Sequence, residues 1–117
     1  MCRHPENLAL GRYVDIGAFT FINAKHGVKI EDYVQVGSHC SIYSLSTIDN
    51  KEGEVLIRTN AKLGSHCVVM PGVTIGANSI IGACSFVDKN VPGNVLAVGV
   101  PVRILRQLTP EETKIES

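Results

Sequence analysis

Tryptophan is absent from this chain of 117 residues, and Tyr and Phe supply only three residues each. A core without large rings has to be narrow and filled by aliphatic side chains. No charge surplus exists either, since 11 Lys and Arg balance 11 Asp and Glu. That argues against a nucleic-acid partner, for which a basic excess would neutralise phosphates. No apolar run approaches the roughly 18 residues that a membrane span needs. Met1-Cys2-Arg3-His4-Pro5 lacks the apolar stretch of a signal peptide, so a cytoplasmic protein is expected. None of the four cysteines forms a CxxC pair, so no zinc ribbon is indicated and no metal is expected. The period-two alternation and hairpin turns of a conventional β-sandwich are missing as well.

What the chain does have is a period of six. Aliphatic residues recur at Leu10, Ile16 and Ile22, at Ile30, Val36 and Ile42, and at Ile57, Leu63, Val69, Ile75, Ile81 and Val87. The second position of these units is often Gly, and the fifth is small or β-branched, as at Thr20, Val34, Cys40, Ala61, Cys67, Ser79, Ser85 and Val91. This is the hexapeptide repeat of a parallel β-solenoid, in which one strand and its turn take about six residues and three units close a triangular coil. The first residue plugs the interior, the fifth faces inward near a corner, and Gly is expected where the backbone bends tightly. The spacing predicts an all-β domain over 1–117, with coils at 10–27, 30–47, 57–74 and 75–92. Residues 28–29 read as a slip, 48–56 as a loop insertion, and 93–108 as a tail. Thr109-Pro110-Glu111-Glu112 has the N-cap, N1 proline and N3 Glu of a helix start, so a short helix is expected over 109–117.

Cys40 and Cys67 share the fifth position of second hexapeptides. Their separation of 27 residues becomes 18 without the nine-residue insertion, so they are expected to stack in adjacent coils. That proximity would permit a bridge, but the position demands a slim residue in any case, and cytosolic thiols stay reduced. His39 and His66 take the fourth position of the same units and are expected to stack outward on one corner. An imidazole there suits general-base work.

The stretch AKLGSHCVVMPGVTIGANSIIGACSFVDKNVPGNVLAVGVPVRILR (61–106) resembles the hexapeptide-repeat acyltransferases, both the sugar O-acetyltransferases and the nucleotide-amino-sugar N-acyltransferases. The likeness covers residues 10–108 and is most specific in MPGVTIG (70–76), IGACSFV (81–87) and AVGVPVR (97–103). It implies a left-handed parallel β-helix of about four to five coils, an exception to right-handed crossovers. It also implies a homotrimer with active sites between neighbouring prisms, and acetyl-CoA or another acyl-CoA as co-substrate. The implied cofactor contacts are Ser65, Ala83, Lys89, Arg103 and Arg106, with Asp88 standing where some members have Thr.

The resemblance breaks at the acceptor site. The hydroxyl-sugar acetyltransferases carry a base His at the end of coil two, where this chain has Thr47, which cannot take a proton at neutral pH. Positions corresponding to their acceptor-binding Asn and Asp read Gly17 and Lys25. The run SIYSLSTIDNKEGEV resembles instead the polar loop of amino-sugar N-acyltransferases, which points to a sugar amine, nucleotide-linked, as acceptor. Asp49 and His39 are then the candidate catalytic groups, with Asp49 and Glu54 as candidate acceptor contacts. Transfer to a sugar hydroxyl stays open, as do two other classes. A γ-class carbonic anhydrase would use His39 and His66 as zinc ligands, but the sequence has no His-x4-His. A non-catalytic scaffold would have no reason to keep AVGVPVR.

Overall fold

The computed structural model describes residues 1–115. Short parallel strands stack into three sheets, the faces of a triangular prism. The first face carries Cys2–Arg3, Phe21–Asn23, Ser41–Tyr43, Val68–Val69 and Phe86–Val87. The second carries Leu8–Leu10, Val28–Ile30, Val55–Ile57 and Thr74–Ile75, with Val91 bridged to Ile75. The third carries Asp15–Ile16, Gln35–Val36, Lys62–Leu63, Ile80–Ile81 and Val95–Val98, and ends in the antiparallel strand Arg103–Gln107.

Strand register shows how the repeat is used. Val68 pairs with Phe86 at a step of 18, Ser41 with Val68 at 27, and Phe21 with Ser41 at 20. The aliphatic first positions therefore form continuous columns, such as Ile22, Ile42, Val69 and Val87, all buried. Each such side chain contributes about 1.5–3 kcal/mol by leaving water. Leu10 departs from the expectation: it is 52% exposed, because its strand lies at the edge of the second sheet with a neighbour on one side only.

Three further expectations are corrected. Residues 28–29 are not a slip, since Val28 and Lys29 pair with Leu8 and Ala9 on one side and Val55 and Leu56 on the other. The extra residues lie in the turn Ala24–Gly27, closed by the Gly27 amide on the Ala24 carbonyl at 2.9 Å. For the same reason Val55 and Leu56 belong to the prism, and the insertion leaves it as a hairpin, Leu45–Ser46 against Lys51–Glu52. Finally, Val91 stacks on Ile75 as a first-position residue, a step of 16, and Leu96 on Ile80 at the same step. The segment read as a tail thus contributes a further coil.

The glycines have a different role from the one expected. The left-handed backbone at the corners belongs to the fourth position, at Tyr13, Phe19, Tyr33, His39, Asn60, His66, Asn78 and Cys84, with φ between 58° and 65°. Second-position glycines are needed for close approach instead: a Cβ on Gly64 would meet the Ala83 amide nitrogen at 2.6 Å. A non-glycine residue in the left-handed region costs about 1–2 kcal/mol. Ring stacking between coils offsets part of that, as for Tyr13 and Tyr33 at 5.1 Å.

The C-terminal expectation is met in shorter form, as a 3-10 turn over Pro110–Thr113. Thr109 and Glu112 form the reciprocal capping box. Lys114 and Ile115 lie beyond this turn, and residues 116–117 fall outside the described part.

Candidate active site

Both irregular corners, Ala24–Gly27 in one coil and the 45–52 hairpin in the next, join the first face to the second. They are tied together. Ser44 is fully buried, donates to the Asn23 carbonyl at 2.7 Å and accepts from the His26 amide at 3.0 Å. The His26 Nε2 lies 3.2 Å from Glu52 Oε2 of the hairpin. The Gly53 amide donates to the Ser44 carbonyl, and the Gly72 amide to the Gly53 carbonyl. The hairpin therefore leaves the prism at a fixed angle.

Between hairpin and first face lies a pocket of about 590 Å³. Its floor follows from strand register, because Arg3, Asn23 and Tyr43 are cross-strand partners and all follow an inward residue. Phe21 lies two positions back on the same face, its ring 5.8 Å from that of Tyr43. Met70 extends the floor, while Leu45, Ser46, Thr47, Ile48 and Asp49 form the overhanging wall. His4 and Lys25 complete the lining.

Of the candidate acceptor residues, the structure brings Asp49 into this pocket together with Thr47. The Asp49 carboxylate is 3.8 Å from Lys51 Nζ. Glu54 is exposed and stands beside Gly27, outside the pocket lining. His39 is at the far edge of the first face, where its ring stacks on His66 at 4.8 Å and lies tilted against Phe19 at 5.1 Å. Within one chain His39 and Asp49 thus lie at opposite ends of the strand Ser41–Tyr43.

Ser65 and Ala83 follow the paired strands Lys62–Leu63 and Ile80–Ile81, so they occupy equivalent places in consecutive coils. Ala83 borders a shallow groove of about 390 Å³ on the third face, lined also by Gln35, Lys62, Gly64, Ile80 and Gly82. Lys89 is exposed near the end of the fourth coil, and Arg103 is exposed on the antiparallel strand. Arg106 is committed within the chain, with Nη1 and Nη2 each 2.7 Å from a Glu112 carboxylate oxygen. This fork-to-carboxylate pair holds Glu112 down at a pKa of about 2, with help from the Thr109 amide.

Cys40 and Cys67 stack as expected and remain free thiols. The Cys40 Sγ donates to the Gly64 carbonyl and the Cys67 Sγ to the Gly82 carbonyl, each at 3.2 Å. Thr20 makes the equivalent bond to Gly37 at 3.0 Å. The column thus needs residues that are both slim and able to donate. The Cys40 thiol and burial together push the Cys67 thiol upward.

Among the described residues, no three His, Cys, Asp or Glu side chains come together to hold a metal ion, and no helix is long and apolar enough to cross a membrane. Sequence reasoning missed Arg3, His4, Phe21 and Tyr43. The aromatic pair was detectable as outward positions flanking Ile22 and Ile42. Arg3 and His4 precede the repeat and carried no signal.

Residues 54–89 match the family described as bacterial transferase hexapeptide, six repeats. Galactoside O-acetyltransferase of Escherichia coli is 35% identical over 92% of this chain, which spans 61% of that relative's length. A hexapeptide-repeat-containing acetyltransferase of Vibrio cholerae, solved with acetyl coenzyme A, superposes with a TM-score of 0.86 at 28% identity, covering 92% of this chain and 64% of that one. AntD, an N-acyltransferase of Bacillus cereus solved with dTDP-4-amino-4,6-dideoxyglucose and coenzyme A, shares the fold with a TM-score of 0.82 at 23% identity, over 89% of this chain and 65% of that one. The chain therefore spans less than two thirds of each of these relatives. With its six-residue period, its prism of parallel coils and these matches, the chain folds as a left-handed parallel β-helix and is similar in sequence and fold to bacterial hexapeptide acetyltransferases, with the hexapeptide-repeat family model matching at 54–89.

Proposed function

We propose that this protein transfers an acyl group, acetyl in the first instance, from acyl-CoA to an amino group of a nucleotide-linked sugar. The observation that carries this is the pocket under the 45–52 hairpin, whose wall contains Asp49 beside Thr47. An amine needs less base assistance than a hydroxyl. Its ammonium form can pair with Asp49, pass one proton to it, and attack the thioester carbon with the freed lone pair. A C–N bond forms, the C–S bond breaks, and the thiolate leaves as the free thiol after taking up the second proton that the acylated nitrogen gives up. Ser65 and Ala83, at the same far edge of the first face as His39 and His66, leave it low enough for an extended pantetheine chain, and Lys89 and Arg103, without an ion pair among the described residues, supply positive charge for its phosphates.

Since His39 and Asp49 lie on opposite edges of one face, both can serve one acceptor only if two copies adjoin. A homotrimer meets that need. Val100, Ile104 and Leu105, which are 73%, 53% and 61% exposed, provide apolar surface for such contacts. Sedimentation showing an active monomer would refute this assembly.

His4 favours a second reading, transfer to a sugar hydroxyl, because its imidazole lines the same pocket. The deciding experiment incubates the protein with acetyl-CoA and a panel of amino and hydroxyl sugars, free and nucleotide-linked, and follows thiol release and product mass. An alkali-stable amide supports the proposal, and an alkali-labile ester refutes it. Asp49→Asn should then lower kcat/KM by about ten- to a thousandfold while Thr47→Ala leaves it nearly unchanged.

A further inference from the structure

The pocket is electrically lopsided, and no acceptor role has been given to its basic end. Arg3 and Lys25 both line it, and among the described residues neither takes part in an ion pair. His4 also lines the pocket, with Nδ1 3.7 Å from Glu6. The one carboxylate in the lining, Asp49, belongs to the hairpin wall and is already accompanied by Lys51 at 3.8 Å. Two local features fix the backbone that carries these cations. Arg3 is fixed by strand pairing to Asn23. The Lys25 backbone is pinned on both sides: its amide donates to Asn23 Oδ1 at 3.1 Å and its carbonyl accepts from Asn7 Nδ2 at 3.1 Å. From the Arg3 row to Met70 the floor runs three coil steps, about 14 Å at the usual strand spacing. Phe21 and Tyr43 lie between and give the lining aromatic surface for a flat or apolar group.

We propose that Arg3 and Lys25 form a subsite for the phosphate or diphosphate of the acceptor, and that they set the enzyme's preference for phosphorylated over neutral amino sugars. The proposal rests on the acyl-transfer reading and assigns the two ends of its pocket. The anionic group sits on Arg3 and Lys25, and the amine lies toward Asp49. A neutral sugar would leave two cations facing the cavity without a partner, and a doubly charged group satisfies both.

The test begins without acyl-CoA. Calorimetric titration of the full chain with UDP, inorganic pyrophosphate, glucose 1-phosphate and uridine should show salt-sensitive binding of the first three and none of uridine. A nucleotide source predicts UDP tighter than glucose 1-phosphate, because the rings add contacts; equal binding of all three phosphates assigns the subsite to phosphate alone. Arg3→Gln and Lys25→Gln should each weaken the phosphates about tenfold, whereas Lys29→Gln, on the second face, should not. Uridine binding as tightly as UDP, or variants that bind UDP like the parent, would overturn the subsite. The two readings fail separately. Acylation of neutral amino sugars that is indifferent to Arg3→Gln and Lys25→Gln sinks the subsite alone. Phosphate binding through these residues with no acyl transfer to any acceptor sinks the enzymatic reading alone.

Discussion

Asn60 is a sharp test of how the corners are built. It is 3% exposed, holds φ at 63°, and its Nδ2 donates both to Asn78 Oδ1 at 3.0 Å and to the Thr113 carbonyl at 2.9 Å. Replacement by Ala removes two hydrogen bonds worth about 1 kcal/mol each. It also puts a β-carbon without a compensating polar group into the left-handed region, for about 1 kcal/mol more. Asn60→Ala should therefore lose about 3 kcal/mol, a fall in Tm on the order of 10 °C for a chain of this size. Asn60→Gly loses the same bonds but adopts φ 63° without steric cost, so it should be about 1 kcal/mol more stable than the Ala variant. Urea denaturation followed by circular dichroism measures both differences. Hydrogen exchange at 109–113 should rise in both variants, because the anchor of the C-terminal turn is gone. If Ala and Gly prove equally stable, the left-handed corner carries no cost and the account of the fourth position is wrong. If neither variant loosens the C-terminal turn, the Thr113 bond does not hold it.

Gly64→Ala should cost about 1–3 kcal/mol by overpacking, since the new carbon would lie 2.6 Å from the Ala83 amide nitrogen and 2.8 Å from its Cα, neither of which can swing aside; a denaturation midpoint equal to the parent's would contradict this. Arg103→Ala should raise KM for acyl-CoA roughly ten- to a hundredfold, the loss of a charge-assisted contact, with an unchanged melting curve; unchanged kinetics would move the phosphate contact elsewhere. The Glu112 carboxylate, held at about 2 by Arg106 against an ordinary value of 4.5, supplies stability that is complete above 4.5 and is lost as pH falls toward 2. Amide protection factors over 109–113, corrected for the intrinsic pH dependence of exchange, should fall across that window, and Glu112→Gln should abolish that fall.

The repeat was legible because a solenoid imposes one local rule on every coil: an aliphatic plug must return every six residues, and a slim residue must sit near each corner. Ile42, Val69 and Val87 obey it without reference to anything distant in the chain, so the prism, the stacking of Cys40 on Cys67 and the outward ladder of His39 and His66 all follow from counting. The capping box at Thr109 was readable for the same reason, being contained within four residues. What counting could not supply was the use of the glycines, because Gly64 is required by the backbone of Ala83 in the next coil and not by its own dihedral angle. Nor could it place the edges of the insertion, since Val28 and Val55 are defined as strand residues only by pairing across coils, Val28 with Leu8 and Val55 alike. The pocket lies furthest from the sequence. It joins Arg3 to Tyr43, forty residues apart, and covers them with a hairpin whose carboxylate reaches the cavity while Glu54, five residues later, does not. Such a site is decided by which coil a segment stacks on and which corner it leaves from, and only the folded prism sets those.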